Sequence, residues 1–148
     1  MRVLLDTSLL VGAMVEAHPH HEFAHAWLRR AVHREVEGVV AAHTLAELYA
    51  VLTRMPVRPR ITAEVAEQLI RHNVLPHLEV VSLGAKDYLE TIQHAAVSGI
   101  TGGTIYDALI FRVAVKAATD RVLTLNVRDF RRIHPELADM VVGPDQTL

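Results

Sequence analysis

Asp6 closes the apolar run Val3-Leu4-Leu5 and is followed by two hydroxyl residues, Thr7 and Ser8. A buried strand that ends on a carboxylate delivers it to the C-terminal edge of a sheet, where open parallel sheets bind their ligands. An aspartate in that position also serves as an ordinary helix cap, so chemistry there requires other acids to converge on it. Three downstream segments offer them: Thr44-x-x-Glu47, Thr104-x-x-Asp107 and Asn126-x-x-Asp129. Each pairs a cap-type residue with an acid three positions on, the pattern of a helix N-terminus. Taken singly, each acid is accounted for by free backbone N–H groups and the helix dipole. Taken together they mean more. Glu47 and the Asn126–Asp129 segment follow strand ends on the side where Asp6 emerges, and Asp107 opens a very apolar helix. Crowded carboxylates repel one another unless a cation joins them. An all-oxygen ligand set suits Mg²⁺ or Mn²⁺ better than zinc, and such a centre supports attack of water on a phosphodiester.

A second pattern competes for attention. His21-Glu22-Phe23-Ala24-His25 matches the HExxH string of zinc peptidases, with His18 and His20 just upstream. The string is short and prone to chance matches, and no motif for a third ligand follows it. A zinc peptidase is therefore the remote alternative.

The elements that must position the acids follow from hydrophobic periodicity. Short apolar strands are expected near 2–6, 38–42, 78–83, 121–125 and 140–142. Between them, amphipathic helices are expected over 9–15, 20–36, 44–52, 62–70, 85–97 and 105–118, with a short helix or turn at 126–132. The second helix places Phe23, Ala24, Trp27, Leu28 and Ala31 on one face and the fourth Val65, Leu69 and Ile70, while the fifth carries Tyr88, Leu89 and Ile92. Pro56-Val57-Arg58-Pro59-Arg60 breaks the pattern as a loop. Alternation of strand and helix implies an α/β domain with a mainly parallel sheet and right-handed crossovers. Strand order does not follow from pattern.

Four motifs in order carry a resemblance over essentially the whole chain: Leu4-Leu5-Asp6-Thr7-Ser8, Ala46-Glu47-Leu48, Tyr106-Asp107-Ala108-Leu109-Ile110, and Leu123-Thr124-Leu125-Asn126-Val127-Arg128-Asp129-Phe130. The sequence resembles the PIN-domain ribonucleases, most closely the VapC-type toxins of toxin–antitoxin pairs. The resemblance implies a three-layer α/β/α sandwich with a small parallel sheet in the order 3-2-1-4-5. It also implies Mg²⁺- or Mn²⁺-dependent endonucleolytic cleavage of RNA, with Asp6, Glu47 and Asp107 as the core acids. On this reading Asp6 and Asp107 bind metal directly, and Glu47 binds it through water or deprotonates the attacking water. Thr7, Ser8 and Thr124 are placed to hydrogen-bond the acids, or simply to cap helices and strand ends. The position after the fourth strand often holds aspartate in the family but is Asn126 here. Either Asn126 or Asp129 then fills the fourth place at the metal, and a weaker second metal site follows.

The bulk numbers agree with one compact domain over 1–148. Of the 148 residues, 51% are hydrophobic and 22% charged, which argues against disorder. The net charge of −2 leaves RNA contact to local basic patches. Arg128, Arg131 and Arg132 beside Asp129 are the first choice for phosphate contact, and Arg58 and Arg60 in the proline loop the second. With no cysteine, disulfides and thiolate chemistry are excluded, which fits a cytoplasmic protein. No run of membrane-spanning length and no signal peptide are expected. Leu48, Leu52, Val65 and Leu69 read as core, or as a groove for a second copy or the cognate antitoxin that the resemblance implies. An inactive PIN-like module that binds RNA or protein is the alternative in a different class, supported by the uncharged Asn126.

Overall fold

The computed structural model describes residues 1–146. Five strands form one all-parallel sheet: β1 (Arg2–Leu5), β2 (Glu37–Ala41), β3 (Leu78–Val81), β4 (Arg121–Leu123) and β5 (Val141–Val142). Their order is β3-β2-β1-β4-β5, as expected. β1 lies in the middle because its neighbours leave it no solvent: Val3, Leu4 and Leu5 are fully buried. Pairing runs Val3 to Gly38 on one side and Leu4 to Val122 on the other. The chain moves from β1 to β2 on one flank and returns to β4 on the opposite flank, so the crevice beyond β1 and β4 is the switch point of the sheet.

Alternate residues along each strand feed two separate cores. Val3, Leu5, Val40 and Leu123 pack under α1 (Thr7–Met14), α2 (His21–Val32), α3 (Ala42–Arg54) and α4 (Ala63–Asn73). Leu4, Val39, Ala41 and Val122 face α6 (Thr104–Lys116) and α7 (Val127–Ile133), where Phe111, Phe130 and Ile133 are fully buried. α5 (Ala85–Ser98) lies outside α6 and is tied to it by charge. Asp87 accepts hydrogen bonds from Lys116 Nζ at 2.9 Å and Arg112 Nε at 3.1 Å. Chiefly through Lys116, these bonds hold its carboxyl down at about 2.

Several expectations are corrected at this level. α1 starts at Thr7, directly on the end of β1, with Asp6 as its N-cap. α2 stops at Val32 and not near 36, because Arg34 turns into the left-handed region at φ 59°. α3 begins at Ala42, so Thr44 sits fully buried inside its first turn and caps nothing. In α4 the buried residue is Ala66, while Val65 is 43% exposed. The apolar residues named in α5 face outward: Tyr88, Leu89 and Ile92 are exposed, and Asp87, Thr91 and Ala95 are the residues it buries. Pattern gave no sign of the 3₁₀ helix over Pro135–Met140. Among the described residues no helix is long and apolar enough to cross a membrane.

Candidate functional site

Because all strands are parallel, every segment that leaves a strand end starts from one edge of the sheet. Asp6 follows β1, α3 with Glu47 follows β2, and Thr124 to Asn126 follow β4. α6 brings Asp107 to the same edge. Asp6, Glu47, Asp107 and Asn126 line one cavity of about 430 Å³, together with Thr7, Ser8, His18, Val51, Met55 and Leu125.

Asp6 is 3% exposed, and burial pushes its carboxyl above the ordinary range. Its Oδ2 receives hydrogen bonds from Ser8 Oγ at 2.6 Å, Thr124 Oγ1 at 2.8 Å and Ser8 N at 3.3 Å. These bonds, with the Thr7 amide, pull back towards the ionised form. Ser8 Oγ and Thr124 Oγ1 stand 3.2 Å apart, but each has given its only proton to Asp6. Their lone pairs accept instead from the backbone beyond β4, Leu125 N at 2.9 Å and Asn126 N at 3.0 Å. One carboxylate oxygen thus pins the ends of two strands, while Oδ1 has no side-chain partner and is the oxygen available to a ligand.

Thr7 serves a different acid. Its Oγ1 lies 3.1 Å from Glu47 Oε1 and 3.3 Å from Thr44 Oγ1. Glu47 is half-buried, and burial raises its carboxyl, opposed first by His43. His43 Nε2 is 3.5 Å from Glu47 Oε1, and its ring stacks on Tyr106 with centroids 5.4 Å apart. Asp107 is pushed up to about 7 by burial and then by the charges of Asp6, Glu47 and Asp129. Asn126 Nδ2 donates to Asp107 Oδ2 at 3.1 Å.

Asn126 therefore acts on Asp107, with its backbone N–H held by Thr124, and its side chain caps no helix. Asp129 is outside the cavity lining; its charge reaches Asp107, and its Oδ1 lies 3.9 Å from Arg132 Nη1. The capping explanation fails for Glu47, Asp107 and Asp129, none of which accepts a backbone N–H. Arg128 is exposed, Arg132 leans on Asp129, and Arg131 is drawn away by Val141 O at 3.3 Å. None of the three lines the acid cavity.

Sequence reasoning missed His43 altogether and gave Thr44, Tyr106 and His18 no part beside the acids. The spacing of His43 and Glu47, one helical turn apart, was the one available signal. The HExxH string fares poorly. His21 and His25 stack at 5.1 Å, but His21 Nδ1 is taken by Gly12 O at 2.9 Å. Among the described residues no three His, Asp or Glu side chains are close enough to grip one ion between them. No three-ligand zinc site therefore stands preformed among the described residues, at the HExxH string or elsewhere.

The family model for the PIN domain matches residues 3–134. "Ribonuclease VapC40" of Mycobacterium tuberculosis is 37% identical over 123 residues, covering 83% of this chain and 85% of that protein. The crystal structure of VapBC2 from Rickettsia felis, bound to a DNA fragment from their promoter, superposes with a TM-score of 0.68 at 22% identity, covering 98% of this chain and 100% of that one. The Mycobacterium tuberculosis VapC20 structure, described as a sarcin-ricin loop cleaving toxin, gives a TM-score of 0.68 at 15% identity over 86% of this chain and 92% of that chain. With its motifs, strand order and switch-point carboxylates, the chain belongs to the PIN-domain family and stands among its VapC-type members.

Proposed function

We propose that the protein is a divalent-metal-dependent endoribonuclease, the toxin of a toxin–antitoxin pair. The observation that carries this reading is the mutual repulsion of Asp6, Glu47 and Asp107 across one cavity at the switch point. One of these carboxylates is pushed up to about 7, by burial first and by its neighbours' charges second, and no basic side chain lines the cavity to supply a counter-charge except His18. The donor set fits a small, hard dication. Asp6 through Oδ1 and Asp107 would hold it directly, and water would complete the shell, as Mg²⁺ commonly retains it. Such an ion supplies an activated water and offsets the charge that builds on a phosphodiester.

The chain's own residues do the rest. Ser8 and Thr124 fix Asp6 in one orientation, and Asn126 fixes Asp107. Glu47, raised above the ordinary carboxylate range and steadied at Oε1 by Thr7 and His43, takes the proton from the attacking water. Asp129 adds negative charge from behind Asp107 without entering the cavity. The uncharged Asn126 makes any second ion weaker.

Cognate partners have surfaces to use. Tyr49 and Val51 on α3 and Val65 on α4 are exposed apolar residues, suited to the antitoxin, whereas Leu48 and Leu52 are wholly core. The outward row Leu89, Ile92 and Val97 on α5 suits a second copy, giving a homodimer.

Cleavage of structured RNA with Mg²⁺, Mn²⁺ or EDTA tests the activity in wild type, Asp6→Asn and Asp107→Asn. Metal-dependent cleavage that falls on the order of 10³-fold in both variants is the expected result, each lost ligand costing several kcal/mol of transition-state stabilisation. Cleavage that survives both substitutions sinks the assignment.

A further inference from the structure

The acid cavity does not end at the carboxylates. Glu47, Val51 and Met55 follow one another at four-residue spacing along one face of α3 and its C-terminal cap, and all three line it. Val51 and Met55 also line a shallow depression with Ala50 and Arg54. Arg54 and Met55 in turn form the wall of a third cavity of about 570 Å³, completed by Pro56, Arg58, Pro59 and Arg60. Shared residues thus link the three: Val51 and Met55 join the carboxylate cavity to the depression that holds Arg54, and Arg54 and Met55 join that depression to the cavity with Arg58 and Arg60.

Among the described residues none of those arginines makes an ion pair or a side-chain hydrogen bond, whereas Arg2, Arg30, Arg71, Arg112 and Arg132 all have acidic partners. Arg54 offsets the carbonyl end of α3, but Arg58 and Arg60 lie in a loop with no helix dipole to answer. Pro56 and Pro59 restrict the backbone of that loop, so little entropy is lost when it is held against a ligand. The chain as a whole is slightly acidic, and the cleavage site proper is a cluster of carboxylates that repels a polyanion. Seven residues of helix separate Glu47 from Arg54, about 10 Å along the axis. A strand seated on the carboxylates passes the arginines with its neighbouring phosphates.

We propose that Arg54, Arg58 and Arg60 form a phosphate-anchoring subsite that holds the RNA backbone beside the cleavage site. The proposal rests on the nuclease reading for the identity of the strand. It also moves backbone contact away from Arg128, Arg131 and Arg132. Arginine suits the task because its planar fork engages phosphate oxygens in pairs.

The test is binding of a fluorescent, 2′-O-methylated RNA oligonucleotide in EDTA, followed by anisotropy over a range of salt. The proteins are wild type, the triple variant Arg54→Gln/Arg58→Gln/Arg60→Gln, and Arg29→Gln as a control on exposed, unpaired charge elsewhere. The triple variant should melt like wild type, bind at least tenfold more weakly and lose about 2 from the slope of log K against log salt, three phosphates at ~0.7 each. Arg29→Gln should match wild type. Equal binding by the triple variant and wild type overturns the proposal, as does an equal loss in Arg29→Gln or an absence of RNA binding by wild type. Competition by polyglutamate as effective, charge for charge, as by RNA assigns the subsite to an acidic peptide and also overturns it. Cleavage with Mg²⁺ or Mn²⁺ is read separately. A protein that never cleaves, yet binds RNA through these arginines, keeps the subsite and loses the nuclease reading.

Discussion

Asp107 holds its proton to about pH 7 because burial and three neighbouring carboxylates oppose its charge. The unfolded chain releases that proton in the ordinary carboxylate range, so the folded state binds more protons between there and 7. The stability this group contributes is full at low pH and is lost as pH rises through 7. Metal-free protein should therefore melt at lower temperature at pH 8 than at pH 6, and Asp107→Asn should flatten the difference. Added Mg²⁺ should restore stability far more at pH 8 than at pH 5, since it binds the ionised form; thermal melts across the grid check both. Thr124→Val tests the support of Asp6. It removes one of two hydroxyl donors to Oδ2 and should cost 10–100-fold in metal affinity or cleavage, measured by calorimetry and rate. Asp6, Glu47 and Asp107 stood out in the sequence because a carboxylate at a strand or helix end is a local feature. The sequence also offers Thr7, Ser8 and Thr124 as hydrogen-bond partners for the acids; which acid each one serves is not legible there, because Thr124 meets Asp6 across 118 positions. Thr44 carried the appearance of a cap and is instead a buried support behind Thr7.

At the scale of elements, Gly38 sets how closely β2 approaches its surroundings. A Cβ there would collide with the Leu78 side chain on β3 and stand 3.1 Å from Ala31 Cβ on α2. Gly38→Ala should destabilise the protein by about 1–3 kcal/mol, read by denaturant unfolding, as Leu78 shifts in a packed core. Strand and helix identities were legible because each strand is a short apolar run and each helix has its 3.6-residue period. Orientation was less so. Pattern marks Tyr88, Leu89 and Ile92 as the apolar residues of this helix, but α5 turns inward the face that carries Asp87, since Arg112 and Lys116 on α6 attract it. An ion-paired face overruled an apolar one, and hydrophobic periodicity holds no information about that competition. The boundary of α3 was misplaced for a related reason: β2 runs into the helix with no cap or turn residue between them.

For the molecule as a whole, the order of the sheet came from the resemblance and the parallel topology then explains the convergence of the acids. The exposed row on α5 leads to a prediction at this scale. Leu89→Asp/Ile92→Asp should convert a dimer to a monomer on size-exclusion chromatography with light scattering, while the single-chain fold keeps its circular dichroism. A wild-type protein that is monomeric at micromolar concentration would remove α5 as a self-association face. The clasp between Asp6, Ser8 and Thr124 has a further consequence, one of timing. The first carboxylate is synthesised at position 6, but the hydroxyl and backbone groups that orient it arrive only with residues 124–126. A growing chain thus carries its acids without the arrangement that makes them a cluster. On the proposed nuclease reading, the site is complete only after β4 has left the ribosome and docked beside β1, so the order of synthesis delays activity to the end of the chain.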